Sequence, residues 1–449
     1  MNTNYSNNFY LSLLQEQLFN SIEAPFPRLT PRQLHNRLTF PGKATVIIGM
    51  RRSGKTYFLH QIRQEKHKQE KIPRERLPYI NLEDERLAGM GVTHLSALVE
   101  SYYRRFPEFR NQHTVTWCFD EIQNLSGWER FIRRLLDTEK VEIFLTGSSA
   151  TLLSREIATA MRGRAWEVPI LPFSFREFLA HRGVSFPENL QMITTAKRSQ
   201  FEALLLDYLK TGGFPEAQGM DDTTRFRLLS DYVDVVILRD IVERHQVRNV
   251  TSLRWLVRHV LGNPGSLFSV EKFYRTLKSQ GLSVSKDTLH ELLKYLEDSF
   301  LVRISWMEST SERQRMVNPR KIYPIDPGFI PIFDRSGKSN LGHALETVVR
   351  VELERRGYSV TYVRIGNGYE VDFLARSPSG EQTLIQVCAD LTDEETRSRE
   401  VRALEQAMAK FSRAQPVLLT LTPEAAKGIS GTIAVYSAAM WLLKTGGQD

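Results

Sequence analysis

The sequence predicts an α/β fold built on a parallel, doubly wound sheet, and three observations predict it. The apolar run Thr45–Ile48 passes straight into Gly49-Met50-Arg51-Arg52-Ser53-Gly54-Lys55-Thr56 and then into a helical pattern. From Ala44 to Leu171, short apolar runs alternate with amphipathic stretches of about ten residues, the spacing of strands joined by crossover helices. A second alternation of the same kind runs from Gly342 to Leu421.

Taken in order, residues 1 to about 42 read as a helical lead-in, with Leu11, Leu13, Leu14 and Leu18 at helical spacing and Pro25, Pro27 and Pro31 cutting it into short pieces. Strands are expected at Ala44–Ile48, Leu77–Leu82, Thr114–Phe119, Val141–Thr146 and Ala165–Leu171. The intervening helices are expected at Gly54–Lys66, Thr93–Arg105 and Gly127–Leu136. Helices at Lys197–Lys210 and Thr223–Arg244 flank Gly212-Gly213-Phe214-Pro215, a turn that neither helix can continue through. Three further helices, Leu253–Leu261, Ser269–Ser279 and one opened by Ser285, lead to the strand Leu301–Trp306. In the third, Leu289, Leu292, Leu293, Leu296 and Phe300 form one apolar face opposite Lys286, His290 and Lys294. The last section reads as a helix at His343–Arg356, strands at Tyr358–Arg364, Tyr369–Ala375 and Thr383–Cys388, a helix at Glu394–Phe411 and the strand Pro416–Leu421.

The chemistry concentrates after the first strand. Gly49 and Gly54 permit turns that side chains would block, so that backbone N–H groups point at a nucleotide's phosphates. Lys55 adds a positive charge near the β and γ phosphates, Thr56 a hydroxyl for Mg²⁺, and the helix N-terminus its dipole. Arg52, Ser53 and Tyr57 complete the stretch expected to bind ATP with Mg²⁺. Asp120 ends an apolar strand and is placed to hold Mg²⁺ with Thr56; Glu121 beside it is placed to orient and deprotonate the attacking water. After the strand Val141–Thr146, Ser148 either senses the γ-phosphate or caps the next helix. Arg162 and Arg164 each read either as a plain surface arginine or as an arginine finger, which would need a neighbouring subunit and hence a homo-oligomer, and Arg51 and Arg52 compete for that role.

The segments GMRRSGKT, FDEIQN, LTGSSA and LPFSFREFL together resemble the AAA-type ATPases of bacteria and archaea that carry a C-terminal domain of unknown function. A YLKTGGFPEA turn at Tyr208–Ala217 and an RKIYPIDPG segment at Arg320–Gly328 extend the resemblance over residues 43 to about 435. After the helical lead-in (1–42), it implies an additional-strand P-loop ATPase core (43–180), a helical lid (181–250), a winged helix (251–330) and a degenerate restriction-nuclease-like domain (331–449). The helix–helix–helix–strand pattern over residues 251–308 agrees with a winged helix, which either enters a nucleic-acid groove or serves as a packing module. DNA or RNA is therefore an expected partner alongside ATP.

The C-terminal order also resembles the PD-(D/E)xK nuclease core. Carried over by position, Glu346 matches the helix acid, Asp372 the strand acid and Gln386 the third position, with Cys388 where the family's lysine belongs. A buried thiol neither orients water nor offsets phosphate charge. The sequence therefore predicts a metal-binding remnant with hydrolysis absent or feeble.

Composition agrees with a protein free of the membrane: 41% hydrophobic and 25% charged residues, and a formal charge of +8 over 449 residues. No apolar run approaches the roughly 18 residues of a membrane span. Cys118 and Cys388 have no metal or redox spacing, so a reducing, cytoplasmic setting is expected.

Overall fold

In the computed structural model, residues 2–34, 39–147, 161–187, 190, 193–334 and 340–444 are described. Contacts divide the chain once, into Met1–Ile170 and Leu171–Asp449.

The first unit opens with α1 (Asn2–Glu23), a single 22-residue helix. The prolines expected to break it all lie beyond its end. Leu13, Leu14 and Leu18 are buried. Then come β1 (Ala44–Ile48), α2 (Lys55–Lys68), β2 (Tyr79–Asn81), α3 (Thr93–Arg105), β3 (Val115–Asp120), α4 (Trp128–Thr138), β4 (Val141–Thr146) and β5 (Ala165–Pro169). The five strands form one sheet in the order β2-β3-β4-β1-β5, and every pairing is parallel. β4 lies between β1 and β3, which brings the ends of β1, β3 and β4 side by side at the edge where ligands of such sheets bind. Phe58, Leu59 and Ile62 of α2 pack on Ile47, Cys118, Phe144 and Val168 of the strands, so Cys118 is a core residue. This is the α/β P-loop architecture the sequence predicts.

The second unit contains α5 (Phe175–His181), α6 (Thr195–Thr211), α7 (Asp222–Val235), α8 (Val250–Gly262), β6 (Leu267–Phe268), α9 (Val270–Ser279) and α10 (Lys286–Asp298). It continues with β7 (Val302–Met307), α11 (Glu312–Val317), β8 (Arg320–Pro324), α12 (Ile330–Phe333), α13 (Leu341–Arg355), β9 (Ser359–Arg364), β10 (Glu370–Arg376) and β11 (Gln382–Cys388). It ends with α14 (Glu394–Lys410), β12 (Gln415–Thr420), β13 (Ala434–Ser437) and α15 (Ala438–Leu443). Eight strands form a mixed sheet ordered β13-β12-β11-β10-β9-β7-β8-β6, with β7 paired in parallel to β9 at Trp306 and Met307.

Phe201, Leu205, Tyr208 and Leu209 of α6 share one core with Leu345 and Val349 of α13, Phe373 of β10 and Leu419 of β12. A helix expected in a lid thus packs on the C-terminal sheet. The two motifs at Tyr208–Ala217 and Arg320–Gly328 turn out to interlock. Asp326 accepts hydrogen bonds from the backbone N–H of Gly213 at 2.7 Å and of Gly328 at 2.9 Å. Gly212 has φ +76°, and a Cβ there would stand 1.9 Å from Asp326 Oδ1, so the turn tolerates only glycine. Burial lifts the Asp326 carboxyl to about 7 despite both backbone donors. Among the described residues no helix is long and apolar enough to cross a membrane.

Candidate functional site

All five residues of β1 are buried, and the chain leaves the strand where β5 continues past it: Ile170 N–H donates to Ile48 O at 2.7 Å. This close passage explains Gly49, whose φ is +154° and at which a Cβ would lie 2.1 Å from Ile170 O. The obstacle is the backbone of Ile170, held by its own hydrogen bond to Ile48, and it cannot yield as a side chain could. Gly49→Ala should therefore destabilise the first unit by about 3 kcal/mol, read as a shift in the urea midpoint, and should disorder the loop.

Gly54 caps α2 without a side-chain acceptor, leaving that helix's first N–H groups directed into the loop. Arg52 holds a left-handed backbone, φ +66°, a strained state typical of functional loops. Lys55 is buried, and its Nζ donates to Gly49 O at 3.1 Å and Met50 O at 3.3 Å. The ammonium is thus seated inside the loop it serves. Thr56 is partly exposed and Tyr57 exposed. Among the described residues, the buried Ser53 Oγ finds no hydrogen-bond partner. Its backbone carbonyl accepts from Arg32 Nη1 at 2.8 Å. The Arg32 backbone N–H also donates to Gln61 Oε1 of α2 at 2.7 Å, and Arg32 O accepts from Gln61 Nε2 at 3.1 Å. A lead-in segment whose role the sequence did not disclose therefore braces both the loop and its helix, through a long-range contact that carries no local signal.

At the ends of β3 and β4 the structure brings two predicted acids to an unpredicted hydroxyl. Asp120 is buried, and its carboxylate accepts from Tyr79 Oη at 2.8 Å and from Thr146 Oγ1. The same Thr146 Oγ1 accepts the Glu121 N–H at 3.0 Å. Glu121 has φ +52°, which turns its side chain away from the strand direction, and its carboxylate accepts from Gln123 Nε2. Burial, then the neighbouring Asp120 charge, pushes the Tyr79 phenol far up, so it stays a donor. Ser148 lies outside the described residues; at this strand end the Thr146 hydroxyl bonds the Asp120 carboxylate and the backbone N–H of Glu121. An oxygen-only donor set of one buried carboxylate and the Thr56 hydroxyl suits Mg²⁺, which ordinarily keeps waters and takes its remaining ligands from phosphates.

The arginines differ in their surroundings. Arg164 pairs with Asp137 of α4, whereas Arg162 is exposed in a left-handed turn, φ +50°. The basic face of α10 is also engaged in part, since Lys286 pairs with Glu271 and His290 Nδ1 lies 3.1 Å from Arg320 Nη2.

The C-terminal acids form a second buried cluster. Glu346 (α13) and Asp372 (β10) come together as the sequence predicts, but around a cation it did not predict. Lys321 Nζ, from β8, donates to Glu346 Oε1 at 3.0 Å and to Asp372 Oδ1 at 2.8 Å, and pairs with Glu370 Oε1 at 2.8 Å. Tyr323 Oη donates to the same Glu346 oxygen at 2.7 Å. Desolvation and the Asp372 charge raise the Glu346 carboxyl to about 7. Burial opposes the Lys321 charge, but Asp372, Tyr323, Glu346 and Glu370 outweigh it and hold the ammonium above the ordinary lysine range.

Gln386 meets only the edge of this cluster: its Oε1 accepts the Asp372 N–H at 3.2 Å and its amide nitrogen donates to Glu400 of α14. Cys388 packs with Val363, Leu384 and Leu404, and burial lifts its thiol to about 11. The expectation that the cluster lacks a cation is corrected: Cys388 leaves no charge at its own position, but Lys321 brings one from a strand distant in sequence.

Family models match three successive segments: an AAA domain at residues 41–179, a domain of unknown function at 202–337 and a restriction endonuclease at 338–428. An uncharacterized protein of Methanocaldococcus jannaschii is 35% identical over 402 residues, covering 88% of this chain and 86% of its own. Another, of Haemophilus influenzae, is 30% identical over 348 residues, covering 78% and 83%. Among solved structures, a Walker-type ATPase of Pyrococcus abyssi aligns over 72% of this chain and 94% of its own, at 15% identity and a TM-score of 0.39.

Proposed function

The chain belongs to the family of AAA-type ATPases that join a P-loop domain to a C-terminal restriction-endonuclease-like domain, and we propose that it binds Mg²⁺·ATP, hydrolyses it and couples the nucleotide state to a nucleic-acid partner. The observation that carries this reading is the joint hold of Thr146 on Asp120 and Glu121 at the sheet edge that also bears Lys55. In it, Lys55 and the loop N–H groups bind the phosphates, with Arg52, Ser53 and Tyr57 beside them. Thr56 and Asp120 hold Mg²⁺, whose charge would offset that of the phosphates. Glu121 takes a proton from the attacking water, and Thr146 keeps both acids in register with the γ-phosphate. Arg162, exposed and in a turn, suits the role of a finger offered to a neighbouring subunit better than Arg164, which Asp137 engages.

The formal charge of +8 and the restriction-endonuclease match favour nucleic acid as the partner in a cytoplasmic setting. A second reading, a switch acting on a protein partner, draws on the pairing of Lys286 with Glu271, which leaves the α10 face a thin reader of bases. Filter binding with duplex and single-stranded DNA and RNA at 50 and 200 mM salt separates them. Binding through several phosphates should weaken by orders of magnitude over that range, on the order of 10³-fold for six contacts. Absence of salt-sensitive binding would select the switch.

A further inference from the structure

We propose that the cavity enclosed by α8, α9 and α12 binds an unpaired nucleobase with its phosphate, Trp255 stacking on the base and Arg258 meeting the phosphate. The cavity measures about 640 Å³, within the range of small-ligand sites. Every residue that lines it belongs to the second unit.

Of the six tryptophans, all among the described residues, Trp255 alone is exposed, at 48%. Among the described residues its ring has no aromatic partner and its indole N–H no acceptor. His259, one turn further along α8, instead packs its ring 5.6 Å from Phe268 and 5.0 Å from Phe273. The histidine thus joins neighbouring rings and the tryptophan faces the cavity. Arg258 follows Trp255 by three residues and so shares its face of the helix. Arg254 pairs with Asp234, whereas Arg258 is exposed and forms no ion pair among the described residues.

The rest of the lining suits a base better than a purely apolar body. Phe273 and Leu277 of α9 are buried and form an apolar floor, while Thr276 and Gln280, on the same face, are exposed at its edge. Asn263 Nδ2 donates to His259 O at 2.8 Å, which leaves its Oδ1 as an acceptor, and the Gln280 amide offers both a donor and an acceptor. Such amides match the edges of bases, which carry donors and acceptors side by side. Asp334, the one carboxylate of the lining, accepts from Asn340 at 2.8 Å just after α12. Positive charge therefore stands at α8 and negative charge at α12, and the phosphate belongs beside Arg258. An aromatic face with a guanidinium near it is the means by which single strands are held without regard to sequence. An unpaired base arrives either in a single strand or as a free nucleotide. The single strand as source rests on the nucleic-acid reading above; the base site does not.

The test uses the full chain, with labelled oligo(dT) and oligo(U) followed by fluorescence anisotropy and with adenosine and uridine monophosphates as free nucleotides. The monophosphates lack the β and γ phosphates assigned to Lys55. The wild type should bind the single strands, and tryptophan emission should fall as a base covers the indole. Trp255→Ala should bind about 5- to 150-fold more weakly, the span of one base–aromatic stack. Trp255→Phe should stay within about threefold of the wild type, because a phenyl ring still stacks, and should lose the emission change. Arg258→Gln should lower the salt slope of log K by about 0.7, the share of one phosphate on a single strand. Monophosphates that bind with the same dependence on Trp255, where the single strands do not, would keep the base site with a free nucleotide as its ligand and end the polymer reading. Single-strand binding undiminished in a folded Trp255→Ala chain overturns the site and leaves the nucleic-acid reading intact. If Trp255→Ala does not melt cooperatively, an emission change that persists in Trp255→Phe overturns it instead. A wild type that binds neither kind of probe overturns it outright.

Discussion

Lys55→Ala should fold and fail to hold ATP. The Lys55 ammonium is buried, with its hydrogens turned to Gly49 O and Met50 O, so it is already positioned at the centre of the loop before phosphates arrive. Charge-assisted hydrogen bonds to phosphate are worth about 1.5–3 kcal/mol each, and a lysine between the β and γ phosphates makes more than one. The expected loss of affinity is therefore at least about 100-fold. Fluorescent-nucleotide titration measures it, and a cooperative melt without nucleotide shows that the variant is folded. Retained affinity in a folded Lys55→Ala chain would remove the nucleotide assignment altogether.

Glu121→Gln should separate binding from turnover. The substitution keeps the size of the side chain and the backbone N–H that Thr146 accepts, so the loop, Asp120 and the Mg²⁺ ligands stay in place. In the proposed mechanism it removes the acceptor for the water's proton, an effect of about 10²- to 10⁴-fold on rate. ATP affinity should remain within about threefold of the wild type while phosphate release falls to background, a split that a merely structural glutamate would not produce. Release at the wild-type rate would move the base elsewhere.

Much of the site that these substitutions probe was legible before folding was considered. The glycines of the phosphate loop, Lys55 and Thr56 are adjacent in the chain, and Asp120 and Glu121 end a run of apolar residues. Such signals survive in one dimension because each depends on local backbone chemistry or on periodicity. The residues missed are of another kind. Arg32 reaches Ser53 O from a proline-rich stretch with no periodic pattern, and Thr146, as a strand-end threonine, reads as an ordinary β-branched residue. Neither has a distinguishing neighbour in sequence.

The sequence by itself determined the α/β class, the strand and helix order, the nucleotide loop and the two acids Glu346 and Asp372, since hydrophobic period and short motifs are properties of consecutive residues. Only the tertiary structure decided three further matters. Helix α6 belongs to the core of the C-terminal sheet, because apolar faces find partners by shape rather than by sequence distance. Gly212 and Asp326 interlock, because a Cβ at the turn would occupy the carboxylate's place. Lys321 stands among Glu346, Glu370 and Asp372, because a buried ammonium is held wherever carboxylates can surround it, and that gathering has no counterpart in the linear order of the chain.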